Sequence, residues 1–323
     1  MDKVAELEEI IAADYSNIAG VAVQKEGRMV YENYFHGSRA ADRIHVFSVT
    51  KSILSILIGI AIDRGDIEAV HQKVLEFFPD YRVKKGEKKI QNITLKDLLT
   101  MTAPYKYRFA PYKKYFSSRD WVTFTLDLLG GRGKTGKFRY TPMIGPDILS
   151  GILTKATGQS VLEFARENLF SPLGITVENQ VVFHSKEEQL AWYQAKDISC
   201  CVADETGVSA GGWGLTLSPV DMAKIGQLYL DDGTWEGKQI VSPEWVREST
   251  REQSCWERRG LPYGYLWWIG AEGEDSFAAM GDGGNIIYVN REKKMVVAIT
   301  SYIDKRPRDR IRLIKEYMEP AFD

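Results

Sequence analysis

Residues 45–65 read HVFSVTKSILSILIGIAIDRG, and the fold turns on how this stretch is understood. Ser48 and Lys51 stand three positions apart at the head of an apolar run. Positions i and i+3 share one face of a helix, so the two side chains sit one turn apart on the same side. The run predicts a helix over residues 50–64, ended by Gly65. Lys51 is then partly desolvated and close to the positive helix N-terminus. Both effects lower an ammonium pKa and favour a neutral amine that can take the Ser48 proton. Such a pair activates a serine without a histidine. The tetrapeptide alone leaves a second reading open, in which Ser48 caps a helix and Lys51 snorkels to solvent.

The chain offers a competing serine. Gly207-Val208-Ser209-Ala210-Gly211 matches the G-x-S-x-G pattern of a nucleophile elbow. That elbow needs a helix after it, then an acid and a histidine later in the chain. The histidines are His36, His45, His71 and His184, and none follows Ser209. The next residues, GWGLTLSP, read as an irregular turn. The stretch is therefore expected to be a Gly-rich loop leading to a helix cap at Ser218.

Composition narrows the function class. The 323 residues suffice for one large domain or two interleaved ones. The formal net charge of -2 gives no reason to expect nucleic acid or an anionic membrane as partner. The acidic opening MDKVAELEEIIAADYSNIAG does not look like a signal peptide, and the expected location is cytoplasmic. The longest apolar run, residues 53–62, is shorter than the roughly 20 residues a membrane span needs. Cys200, Cys201 and Cys255 form no disulfide framework and read as structural thiols.

Strand patterns lie at both ends of the chain and helical ones in the middle. Residues 20–24 and 29–35 flank a turn at 25–27 and read as a hairpin, and NIIYVNREKKMVVAITSY reads as another, turned at 291–294. Between them come short helical segments: TLKDLLTM, DWVTFTLDLL, PDILSGILTKATG and SVLEFARENLF. Ser160 and Glu163 fit a capping box, and Ser218-Pro219 with Asp221 opens another helix, as does the Ser-Pro of SPEWVREST. RPRDRIRLIKEYMEPAF is expected to be a final amphipathic helix. The simplest architecture is α+β: the termini share one antiparallel sheet flanked by helices, with a mainly helical insertion. The boundaries are an α/β subdomain over about 1–70 and 205–323 and a helical subdomain over about 71–204, within a single domain spanning 1–323. A site between the two is expected, since small-molecule sites favour such clefts.

Several blocks resemble, in order, the serine β-lactamase and penicillin-binding-protein superfamily. They are FSVTKSILSILIGIAIDRGDI, ITLKDLLTMTAPY, KFRYTPMIGPDILSGILTKATGQSVLEFARENLFSPLGI, SAGGWGLTLSPVDMAKIGQLYLDDGTWEGKQIVSPEWV, YGYLWWI and MGDGGNIIYVN. The resemblance is greatest to the class C β-lactamase-related branch, with its esterases and 6-aminohexanoate-dimer hydrolases. It implies a β-lactamase/transpeptidase-like fold, Ser48 as acylated nucleophile and Lys51 as its activator. It implies Tyr140 as a proton-transfer partner. Without the resemblance Tyr140 reads as a half-buried aromatic with a solvated hydroxyl. The segment Asp282-Gly283-Gly284-Asn285 would border the substrate. Ser48 N–H and the N–H of Asn285, to within one position, would form the oxyanion hole. No metal or cofactor is implied, the partner is a small-molecule ester or amide, and the oligomeric state is left open.

Departures from the family pattern bear on substrate. The middle motif is Tyr140-Thr141-Pro142, and proline supplies neither the usual asparagine amide nor an N–H. A literal Lys134-Thr135-Gly136 precedes Tyr140, on the wrong side for the third family motif, and reads as a basic turn. The counterpart of that motif is Gly281-Asp282-Gly283-Gly284, with a carboxylate where relatives carry a cation. Asp282 would repel an anionic substrate in a partly desolvated cleft, or else be a hydrogen-bonded turn residue. The expected activity is thus a serine hydrolase acting on an ester or amide. The alternatives are a β-lactamase or D-alanyl-D-alanine carboxypeptidase, and a non-catalytic binding module on the same fold.

Overall fold

A computed structural model describes residues 3–323. Strand β1 (Ile18–Lys25) turns back into β2 (Arg28–Tyr34) through Glu26 and Gly27, both at positive φ as a two-residue hairpin turn requires. At the other end of the chain β12 (Ser276–Gly281), β13 (Asn285–Asn290) and β14 (Met295–Ser301) form a meander. The eight-stranded antiparallel sheet runs β2-β1-β14-β13-β12-β11-β10-β9, so the first and last strands lie side by side, as expected. The outer strands β9 (Ser254–Trp256), β10 (Leu261–Tyr263) and β11 (Trp268–Ile269) are too short for a period-2 pattern to show in the sequence.

Both faces of the central strands are buried, and alternation along each strand divides them. Met295, Val297 and Ile299 pack with Leu7, Ile11, Leu313 and Ile314, while Val296 and Ala298 face the larger core. Two-sided burial makes these strands read as continuous apolar runs. The first face is covered by α1 (Lys3–Asp14), which the sequence reading did not anticipate. It is also covered by the C-terminal helix, which begins at Arg310 under an Asp309 cap rather than at the preceding arginines. That helix continues through a π-turn, Ile314–Met318, to Glu319–Phe322.

The other face carries α2 (Val49–Asp63) and α9 (Pro219–Leu230). Every residue of α2 from Val49 to Ala61 is buried. A helix apolar all round is a central helix, and α2 lies between the sheet and the helical section. Gly59 is required there, because a Cβ would stand 2.3 Å from the Trp245 ring. The helical section includes α3 (Leu95–Leu99), α4 (Tyr112–Phe116), α5 (Trp121–Leu128), α6 (Pro146–Thr157), α7 (Val161–Ala165) and α8 (Lys186–Gln194). Local caps set several of these: Thr94 with Asp97, Asp120, and Ser160 with Glu163. It also holds a parallel strand pair, β4 (Asn179–Val182) with β5 (Cys200–Ala203), absent from the sequence expectation. Cys200 and Cys201 are buried in β5, and burial pushes both thiols up, Cys201 to about 12. Among the described residues no helix is long and apolar enough to cross a membrane.

Candidate active site

The backbone delivers Ser48 through a strained residue. β3 (Ile44–His45) pairs with β6 (Thr216–Leu217), and Val46 N–H donates to Leu215 O at 2.9 Å. Phe47 then takes φ 49°, a left-handed conformation rare for a bulky side chain. Strain of this kind persists only where its surroundings hold it. Ser48 follows at the head of α2, and its side chain makes no capping bond. The cap reading therefore fails. The snorkelling reading fails too, since Lys51 is only 1 % exposed.

Instead Lys51 Nζ donates to Ser48 Oγ at 2.7 Å and to Gly212 O at 2.8 Å. Burial pushes the amine down to about 7, against the opposing pull of the Asp282 and Asp147 charges. Tyr140 stands beside the pair: its ring centroid lies 5.3 Å from Lys51 Nζ, and the nearby Ser48 hydroxyl opposes the effect of burial on its phenol. Burial pushes its phenol up to about 12, so it stays protonated at neutral pH.

The Gly212 carbonyl was not foreseen. It supplies a fixed acceptor for Lys51, near the place where Pro142 offers no amide. Gly211 and Gly212 are pressed onto the Tyr140 segment so closely that a Cβ would sit 2.2 Å from Pro146 O or 2.4 Å from Pro142 O. The Gly-Gly pair in SAGGWG was the one sequence signal of this close approach. Ser209, from the competing motif, is buried in the loop that delivers it, and no helix follows.

The GDGGN segment divides between two tasks. Gly281 lies close against the backbone at the nucleophile: a Cβ there would stand 2.2 Å from Val46 O and 3.2 Å from Ser48 N. Asp282 is exposed beside it, and its charge acts on Lys51, Tyr140, Tyr112 and Tyr193. Gly283 and Gly284 form a turn with φ of 76° and 90°, packed against Tyr302 O and the Arg310 guanidinium. Asn285 lies across the hairpin from Gly281. Its Nδ2 donates to Asp282 O and Ser301 O, and its Oδ1 accepts from Ser301 N–H. The structure thus brings Ser48, Lys51, Tyr140 and Asp282 together. Gly283, Gly284 and Asn285 build the turn behind them.

Beside Tyr140 an open recess of about 540 Å³ is lined by Tyr105, Phe138, Trp256, Lys134 and Arg258. Trp268 packs its ring 5.6 Å from Tyr140. Lys134 stands in the exposed loop at the rim of this recess, away from any sheet strand.

Comparison with known proteins gives a consistent picture. The Beta-lactamase family profile matches residues 8–319. The chain is 24% identical over 301 residues to a 6-aminohexanoate-dimer hydrolase of Paenarthrobacter ureafaciens, covering 86% of this chain and 71% of that protein. Among solved structures it resembles a family VIII carboxylesterase, with a TM-score of 0.72 at 16% identity over 98% of this chain and 97% of the other. It also resembles the octameric penicillin-binding protein homologue of Pyrococcus abyssi, with a TM-score of 0.71 at 22% identity over 98% and 77%.

Proposed function

Because the chain belongs to the β-lactamase family, we propose that it is a serine hydrolase that forms an acyl-enzyme on Ser48. The observation that carries this is the 2.7 Å contact between Ser48 Oγ and a buried amine brought down to about 7. Such a base is partly neutral at physiological pH. Neutral Lys51 accepts the Ser48 proton as Oγ attacks the substrate carbonyl carbon, and the carbonyl electron pair moves onto oxygen. Ser48 N–H and an N–H at the end of β12, at Gly281–Asp282, receive that negative oxygen. This moves the second donor upstream of the Asn285 N–H, which lies across the hairpin from Gly281. Collapse breaks the ester or amide bond, and the leaving group takes the proton from Lys51 through the protonated Tyr140 hydroxyl. Water releases the acyl group by the same steps in reverse.

The substrate is an ester or amide without a carboxylate at the reacting centre. The Asp282 charge beside Lys51 supports this, as does the likeness to a 6-aminohexanoate-dimer hydrolase and a family VIII carboxylesterase. Wild-type protein should turn over p-nitrophenyl esters or small amides faster than nitrocefin. Asp282→Lys should raise acylation by carboxylate-bearing β-lactams relative to neutral esters by about tenfold, ~1.4 kcal/mol. An unchanged ratio would show that the electrostatic reading is wrong. Preferential nitrocefin hydrolysis by the wild type would favour the lactamase reading. Absence of turnover and of acylation would favour a binding module.

A further inference from the structure

The mechanism above leaves a buried carboxylate near the site without a task. Asp147 lies on the first turn of α6 with 1 % of its surface exposed. Its Oδ1 accepts the Gly211 N–H at 2.9 Å, while its Oδ2 has no hydrogen-bond partner among the described residues. A neutral acceptor such as asparagine would satisfy Gly211 without burying a charge, so a carboxylate here is an expensive way to tie a loop. Its position is informative. Gly211 N–H is fixed by Asp147, and the next carbonyl, Gly212 O, receives Lys51 Nζ, which also reaches Ser48 Oγ. The link is stiff, since both glycines are pressed against the 142–146 backbone.

We propose that Asp147 is a positioning residue for Lys51. It clamps the Gly211–Gly212 backbone so that the Gly212 carbonyl holds the amine against Ser48, and its charge acts on that amine across the packed α2–α6 interface. The proposal rests on the reading of Lys51 as the base of Ser48. The charged and titratable groups facing the pair are Asp282 and Tyr140 toward Lys51, and Asp204 and Tyr115 toward Asp147. Burial pushes Asp147 up to about 7, the same range to which it pushes Lys51 down, so the two ionisations are linked.

Asp147→Ala and Asp147→Asn separate clamp from charge. The alanine variant loses the clamp, and its acylation rate should fall about 10²-fold, the scale of a small misplacement at a reacting centre. The asparagine variant keeps an acceptor for Gly211 N–H and should recover most of that rate. Its acid limb of kcat/KM should nevertheless move to lower pH. Asp147 favours the ammonium form of Lys51, so its neutralisation lets the amine lose its proton earlier. A purely structural carboxylate would leave the limb in place, and an unmoved limb in a folded Asp147→Asn protein overturns the proposal. Should circular dichroism show that the variants do not fold, wild-type protein carrying 13Cε-lysine is titrated instead. A second inflection in the Lys51 signal supports the linkage, and a single-step titration overturns it. Ester turnover that survives Ser48→Ala would instead refute the underlying site assignment.

Discussion

At the scale of the residue, Lys51 is the anomaly that organises the site. Among the described residues this lysine, at 1 % exposure, has no carboxylate within ion-pair distance, only Ser48 Oγ and Gly212 O. Burying an unpaired cation destabilises the fold. The sign follows from the two states. The unfolded chain keeps the proton up to the ordinary value of 10.5, while the folded chain releases it near 7. Between these values the unfolded state binds more protons, so this group's penalty is largest below pH 7 and fades toward 10.5. Lys51→Met should therefore abolish acylation and still raise stability, by an amount of order a few kcal/mol near pH 6 that shrinks by pH 10. Thermal melts across pH would check this. In the wild type kcat/KM should rise with pH through about 7 as Lys51 becomes neutral.

At the scale of the element, the end of β12 sets how closely the sheet approaches the nucleophile. Gly281 is the contact, with no room for a Cβ against Val46 O. Gly281→Ala should cost about 1–3 kcal/mol, the usual range for overpacking. It should also slow acylation, since the strand must retreat from Ser48 N–H. Equilibrium unfolding with labelling rates would measure both, and a neutral substitution would remove β12 from the site. Counting along GDGGN puts the second oxyanion donor at Asn285, to within one position, and we propose it upstream because Gly283 and Gly284 form a left-handed turn that sets Asn285 across the hairpin from Gly281. Capped helices were legible because their signals are local, as at Ser160 and Ser218. The three outer strands were not, because two or three residues carry no period. Helix α1 was missed because its apolar anchors, Leu7 and Ile11, are few and its face is defined only by the sheet it covers.

At the scale of the whole molecule, the site is assembled from segments far apart in the chain. The head of α2 gives Ser48 and Lys51, the stretch before α6 gives Tyr140, the first turn of α6 gives Asp147, the 211–212 loop gives an acceptor, and the end of β12 gives Gly281 and Asp282. The sheet that closes the first strands onto the last, by pairing β1 with β14, shares the large core with α2 and α6. Ordered motifs made Ser48, Lys51 and Tyr140 legible from sequence. Gly212 and Asp147 were not legible, because a backbone carbonyl and a buried carboxylate gain their meaning only from tertiary packing. The central claim is that this assembly makes Ser48 a nucleophile. Its most direct test is reaction with a fluorophosphonate followed by mass mapping of the peptides. One adduct is expected, on Ser48, and it should be lost in Ser48→Ala and in Lys51→Met. A wild-type chain that stays unlabelled, or an adduct that maps elsewhere and survives Ser48→Ala, would contradict the account.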